Sequence, residues 1–164
     1  MDYYETVMLH YLRADRVIFL NSEYCIQLNE AANPDMSGPH WYCDAVATNF
    51  RNKAIFLYEI SYSKGLQSLT KRLREWHADW NGLRLALIRD SFLHGDWPIR
   101  PWLFVPEEYV PVLLRRLDEI RAGEPLRFLP RITTLEMIQP WRFQSWNRTG
   151  EREKPDCIPV EMQS

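Results

Sequence analysis

Residues 54–67 read AIFLYEISYSKGLQ and decide how the chain folds. Branched and aromatic residues favour strands, and residues 54–62 are so densely apolar that we expect a strand covered on both faces. One acid, Glu59, lies in the middle of this run. Because an unpaired buried carboxylate costs several kcal/mol or becomes protonated, the sequence predicts a cation, a metal ion or hydrogen-bond donors beside Glu59.

The segments before this strand predict a helix and two further strands. Residues 3–13 carry apolar side chains at helical spacing, while residues 16–28 and 40–50 are rich in strand formers. Only a short polar connection separates the second strand from the third, so these two strands should form an antiparallel hairpin. The hairpin makes Asp44 in strand two a neighbour of Glu59 in strand three.

After Gly65 the spacing of apolar residues becomes helical. Leucine and tryptophan recur three and four residues apart between residues 66 and 80, and a second helix or a continuation of the first follows. Residues 102–105 predict a fourth strand, and residues 106–123 predict another amphipathic helix that ends at its glycine. This order predicts an α/β (α+β) fold with a mixed central sheet flanked by helices on both faces.

Composition indicates one globular domain in a reducing compartment. The chain has 164 residues, 46% of them hydrophobic, which suits a single domain over residues 1–138. Residues 139–164 predict a tail that is mobile or packed on the surface. Three cysteines leave one unpaired in any disulfide scheme, and neither a signal peptide nor an apolar run of about 18 residues occurs. We therefore expect a cytoplasmic protein with no membrane partner.

Short motifs of several enzyme classes do not occur in the sequence. It contains no Cys-x-x-Cys or His-x-x-x-His pair of the kind that binds zinc. A Walker loop, GxGxxG and GxSxG are also missing, so P-loop hydrolysis, dinucleotide binding and serine hydrolase chemistry lack support. The formal charge of −2 neither predicts nor excludes binding of nucleic acid.

An acid in strand two and a Glu-x-polar sequence in strand three, set in this order of elements, resemble the PD-(D/E)XK superfamily of restriction-endonuclease-like nucleases. The resemblance covers roughly residues 3–105 and implies a restriction-endonuclease-like αβββαβ core. Residues 43–44 (Cys-Asp) stand where the family usually has Pro-Asp. Residues 59–61 (Glu-Ile-Ser) stand where it has Glu-x-Lys.

The resemblance implies a divalent cation, Mg²⁺ or Mn²⁺, bound by Asp44, Glu59 and the main-chain carbonyl of Ile60. Glu5, in the first helix, would be an outer ligand. A hard cation neutralises charge that builds on the phosphate and acidifies a water molecule, and Mg²⁺ accepts carboxylate and carbonyl oxygens. The implied activity is therefore metal-dependent hydrolysis of DNA phosphodiester bonds.

Ser61 is the departure from the family pattern, because a hydroxyl cannot supply the positive charge of the family's lysine. The resemblance then implies an amine from elsewhere, with Lys64 or Lys71 as candidates, and Gln67 as a residue that positions substrate or water. The same departure leaves a second function open: a decayed site on a fold that binds nucleic acid or a protein partner. Recognition would come from the loop at residues 29–39, from the C-terminal segment, from a homodimer or from a partner.

Structural interpretations of the same residues also stay open. Asp44 and Glu59 would alternatively be held by Arg or Lys side chains in a structural network. The cations of residues 71–74 fit a solvated helix face as well as a phosphate track. Trp76 and Trp80 lie at core-facing helical positions, so packing is expected of them before base stacking.

Overall fold

A mixed sheet forms the centre of the structure, a computed structural model that describes residues 2–28, 39–91, 95–143, 157–158 and 160. Within these ranges the helices are α1 (Tyr3–Arg13), α2 (Gln67–Ala78), α3 (Trp80–Ser91) and α4 (Val110–Arg121). The strands are β1 (Ile18–Gln27), β2 (His40–Asn49), β3 (Ala54–Ile60), β4 (Ile99–Val105) and β5 (Arg131–Thr134). Single turns of 3₁₀ helix cover Glu107–Tyr109 and Pro140–Arg142. None of the helices described here has the length and apolar character needed to cross a membrane.

The strands are ordered β1-β2-β3-β4-β5 across the sheet. β2 runs antiparallel to both β1 and β3, and the predicted hairpin is present with Ala45 opposite Tyr58. β4 lies parallel to β3, and β5 lies parallel to β4. Parallel neighbours need crossover connections, which α2 with α3 and then α4 supply. The predicted α/β class and the mixed sheet are confirmed.

Each face of the sheet is covered by a separate apolar cluster. The face under α2, α3 and α4 includes Leu73, Trp76, Leu87 and Leu113. The face under α1 includes Met8, Leu12, Phe56 and Phe104. β3 supplies both clusters alternately, because Ile55 and Leu57 face the first and Phe56 and Tyr58 face the second. The apolar run of β3 is therefore buried on both sides, as predicted.

Near the middle of β1 and β2, the side chains change from one face of the sheet to the other. Leu20 packs against the α1 side and Tyr24 against the opposite side, although both would share a face in a regular strand. Glu23, between them, has a φ of 53°. On β2, Ala45 and Cys43 separate in the same way. Asp44 thus lies where the strand changes the face it presents.

β3 and β4 each differ from the prediction at one end. β3 ends at Ile60, two residues before the predicted end. β4 begins at Ile99 and passes through Pro101, which pairs with Leu57 and is buried. Burial of Ile99 and Pro101 therefore outweighs the strand-breaking tendency that proline shows in isolation.

Beyond residue 138 the described part of the predicted tail contacts α1 and β5. The ring of Phe143 lies edge-on to Tyr11, with centroids 5.5 Å apart. Ile158 forms an antiparallel bridge with Ile132, whose carbonyl accepts its N–H at 2.7 Å. The rest of the tail, and all but the last residue of the loop predicted at 29–39, lie outside the described residues.

Candidate carboxylate site at the end of β3

Glu59 is the buried acid that the apolar run contains. It is only 2% exposed and follows Ile55 and Leu57 on the face covered by α2. Its Oε2 accepts a hydrogen bond from the guanidinium of Arg72 on α2. Its Oε1 is buried and accepts no hydrogen bond from any residue that the structure describes. The carboxylate is therefore only half satisfied.

Asp44 lies beside Glu59, at the point where the pairing of β2 with β3 ends. The last β2–β3 pair is Ala45 with Tyr58. Just beyond it, Asp44 Oδ2 accepts a hydrogen bond of 2.7 Å from the main-chain N–H of Ile60. The structure thus brings the strand-two and strand-three acids together, because the hairpin register sets them opposite each other.

Burial makes both acids reluctant to ionise. Desolvation and, to a smaller extent, the charge of Asp44 raise the pKa of Glu59 from 4.5 to about 8, although Arg72 opposes the rise. Desolvation likewise raises the pKa of Asp44, against the lowering effects of the Ile60 N–H and of Arg72. With a pKa of about 8, Glu59 is mainly protonated at pH 7. A cation placed between the two carboxylates would reverse this preference.

Arg72 is the site residue that sequence reasoning missed, because it was included in a solvated helix face. It is three residues after Leu69 and four before Trp76, so it borders the buried stripe of α2. Its long apolar stem lets the guanidinium reach Glu59 while the side chain stays 33% exposed. Two features of the sequence point to Arg72. It lies beside the buried stripe of α2, and the buried acid needs a cation.

The other predicted site residues form no hydrogen bond or ion pair with Asp44 or Glu59 in the described ranges. Lys64, in the turn after β3, and Lys71, on α2, are exposed and pair with no residue in the described ranges. Gln67 is the exposed first residue of α2. Ser61 is half-buried, and its hydroxyl lies 3.4 Å from that of Ser63. Neither lysine contacts Asp44 or Glu59 in the structure.

Glu5, the predicted outer ligand, belongs to the N-terminal cap of α1. Its carboxylate accepts the N–H of Asp2 at 3.2 Å, and Asp2 accepts the N–H of Glu5 at 2.9 Å. The negative charges of Glu5 and Asp2 both raise the pKa of Asp44. The hydroxyl of Tyr62, just past β3, donates to Asp2. The start of α1 is therefore part of the electrostatic surroundings of the site.

A metal ion would have few protein ligands here. Across the described ranges, no three side chains of Asp, Glu, His or Cys are grouped closely enough to hold one. Two carboxylates and a carbonyl are nevertheless compatible with Mg²⁺, which is often bound through one or two carboxylates and keeps several waters.

Comparison with known proteins adds no relative, since no protein-family model, curated protein or solved structure matches this chain. The resemblance to PD-(D/E)XK nucleases stays a prediction that depends on Asp44, Glu59 and the order of elements around them.

Proposed function

We propose that the protein is a metal-dependent nuclease that hydrolyses DNA phosphodiester bonds at the carboxyl end of β3. The observation that supports this most is Glu59 Oε1, a buried carboxylate oxygen that no described residue satisfies, next to a second acid, Asp44. A purely structural acid pair would be expected to have its oxygens satisfied, because unpaired buried polar atoms lower stability. Strongly perturbed acids of this kind are concentrated at functional sites.

Asp44, Glu59 and the carbonyl of Ile60 would hold Mg²⁺ or Mn²⁺. The free Oε1 of Glu59 offers a ligand atom that needs no existing hydrogen bond to break. When bound, the ion would neutralise charge on the phosphate and acidify a water molecule. The raised pKa values of both acids fit such a site, because burial raises the pKa of each carboxyl and a nearby divalent charge would lower it again.

Arg72 would take over the electrostatic role of the lysine that Ser61 replaces. The guanidinium stays protonated at all relevant pH values, so it cannot act as a base. It contacts Glu59 from a side chain that is one-third exposed, which lets its remaining N–H groups donate to a phosphate oxygen. Such a donor stabilises charge that develops in the transition state. Lys64 and Lys71 remain candidates for an amine that reaches the site once substrate is bound.

The same contact also favours a second function. If the site has decayed, the Arg72–Glu59 ion pair would serve only to compensate a buried acid. The protein would then be a nuclease-fold module that binds nucleic acid or a protein partner, or that forms a homodimer. The absence of lysine at position 61 is the sequence feature that favours this alternative.

Cleavage of plasmid and single-stranded DNA with Mg²⁺ or Mn²⁺ tests the proposal. Glu59→Gln and Arg72→Ala should each lower the rate by about 10²-fold or more, because both act on charge in the transition state. Lys64→Ala and Lys71→Ala tell whether an amine contributes as well. Asp90→Asn, an acid ion-paired to its neighbour on α3, is the matched control and should cut normally.

Two outcomes contradict the proposal. Normal cutting by Glu59→Gln would remove the carboxylate site from the chemistry. A folded wild-type protein that binds DNA and never cuts it with either metal would favour the module without activity.

A further inference from the structure

An aromatic groove of about 640 Å³ lies at the same end of β3 as the carboxylate site. Residues just after β3, β4 and β5 line it, so it opens at the carboxyl ends of the three parallel strands, where ligands bind in open α/β sheets. Its aromatic residues are Tyr3, Tyr4, Tyr62, Tyr109 and Trp141. This set of residues is called the aromatic groove below.

Most of the rings in the aromatic groove are accessible. Tyr3 is 64% exposed, Tyr4 38%, Tyr62 44% and Trp141 77%. Single exposed aromatic residues are ordinary, whereas several on one concave surface indicate a binding site. The aromatic groove therefore offers ring faces to a ligand without any rearrangement of the core.

Tyr62 connects the aromatic groove to the carboxylates. It is two residues beyond Ile60, and its ring packs on Tyr4 with centroids 4.7 Å apart. Its hydroxyl donates to Asp2, whose charge acts on Asp44. A ligand that rests on Tyr62 would therefore lie two residues along the chain from Ile60, whose N–H donates to Asp44.

The charges around the aromatic groove favour bases inside it and phosphates outside it. The groove itself contains Glu108 and Glu136 with Arg142, so it does not attract a phosphate backbone. Exposed cations lie instead past Tyr62, at Lys64 in the turn and Lys71 on α2. A nucleic acid strand would accordingly place its base faces in the groove and its phosphates towards α2.

We propose that the aromatic groove binds unpaired bases of single-stranded DNA, which makes such DNA the substrate class of the adjacent site. This inference rests on the proposed nuclease function for the reaction itself. Bases inside a duplex already stack on each other on both faces, so only unpaired bases can stack on tyrosine and tryptophan rings. Each base–aromatic stack changes affinity by about fivefold or more.

Fluorescence anisotropy in EDTA measures binding without cleavage. A labelled oligonucleotide should bind more tightly as a single strand than as a duplex of the same sequence. Trp141→Ala and Tyr62→Ala should each weaken single-strand binding by about fivefold or more, while Tyr62→Phe, which keeps the ring, should not. Phe19→Ala is the control, because Phe19 is 65% exposed at the opposite end of the sheet.

Equal affinity for the duplex, or unchanged affinity in Trp141→Ala, would overturn the inference. Thermal melts of each variant confirm that it is folded, which the exposure of Trp141 favours. Parallel cleavage assays with Mn²⁺ separate the two proposals. Single-strand binding that depends on Trp141, without cutting, would refute the proposed nuclease activity and support DNA binding in the aromatic groove. Cutting of duplex DNA in preference to single strands would refute the proposed role of the aromatic groove and support the nuclease activity.

Discussion

Replacing Glu59 with Gln should remove a stability penalty that grows with pH. Burial and the charge of Asp44 raise the pKa of Glu59 from 4.5 to about 8. The folded protein therefore holds a proton that the unfolded chain releases, and stability falls as pH rises between these two values. Gln resembles the protonated acid in shape and hydrogen bonding, so the variant keeps the favourable state at every pH.

The size of the effect follows from the two pKa values. Below pH 4.5 the acid is protonated in both states, and the penalty vanishes. Above pH 8 it reaches its full value, which is about 5 kcal/mol of unfolding free energy at 1.36 kcal/mol per pKa unit. At pH 7 it should be about 3 kcal/mol.

Urea denaturation of the metal-free protein from pH 5 to pH 9 measures this difference. The unfolding free energy of wild type should drop below that of Glu59→Gln as pH rises, with most of the separation present by pH 8. Glu119→Gln, at an exposed position on α4, is the control and should parallel wild type. Parallel curves for wild type and Glu59→Gln would show that Glu59 titrates like an acid in water, and the burial argument would be wrong.

Two further predictions concern the core. Trp76→Ala should lower the unfolding free energy by roughly 3 to 5 kcal/mol, because this ring is fully buried. Trp80→Ala should lower it clearly less, because Trp80 is half-buried. Equal losses of the two variants in urea melts would contradict this prediction. Burial raises the pKa of the Cys43 thiol, so a thiol reagent at pH 8 should modify Cys43 more slowly than Cys25 in the folded protein and equally fast in urea.

The elements with strong local patterns were predictable. The helical spacing of residues 3–13 gives α1 its observed bounds, and the short polar turn fixes the register of the β2–β3 hairpin. β5 lacks such a pattern, and its four residues join the sheet through pairing with β4. The change of face along β1 is centred on Glu23, and a glutamate gives no local sign of a positive φ.

The acids of the site were predictable for a physical reason, and their surroundings were not. Asp44 and Glu59 stand out because a charge inside an apolar strand requires compensation. Arg72 and Lys71 are adjacent in sequence, and only the rotation of α2 on the sheet decides that Arg72 reaches the acid. Trp141 is mainly exposed, because it lies in a 3₁₀ turn beyond the end of the sheet.

Calorimetric titration of Mn²⁺ into the folded protein at pH 7 tests the proposed metal site most directly. We predict binding by wild type, with release of nearly one proton, because Glu59 with a pKa of about 8 must ionise to become a ligand. Repeating the titration in buffers of different ionisation enthalpy counts that proton. Asp44→Asn and Glu59→Gln should lose the binding and Asp90→Asn should keep it. Wild-type heats indistinguishable from those of Glu59→Gln would contradict the metal site and, with it, the proposed nuclease.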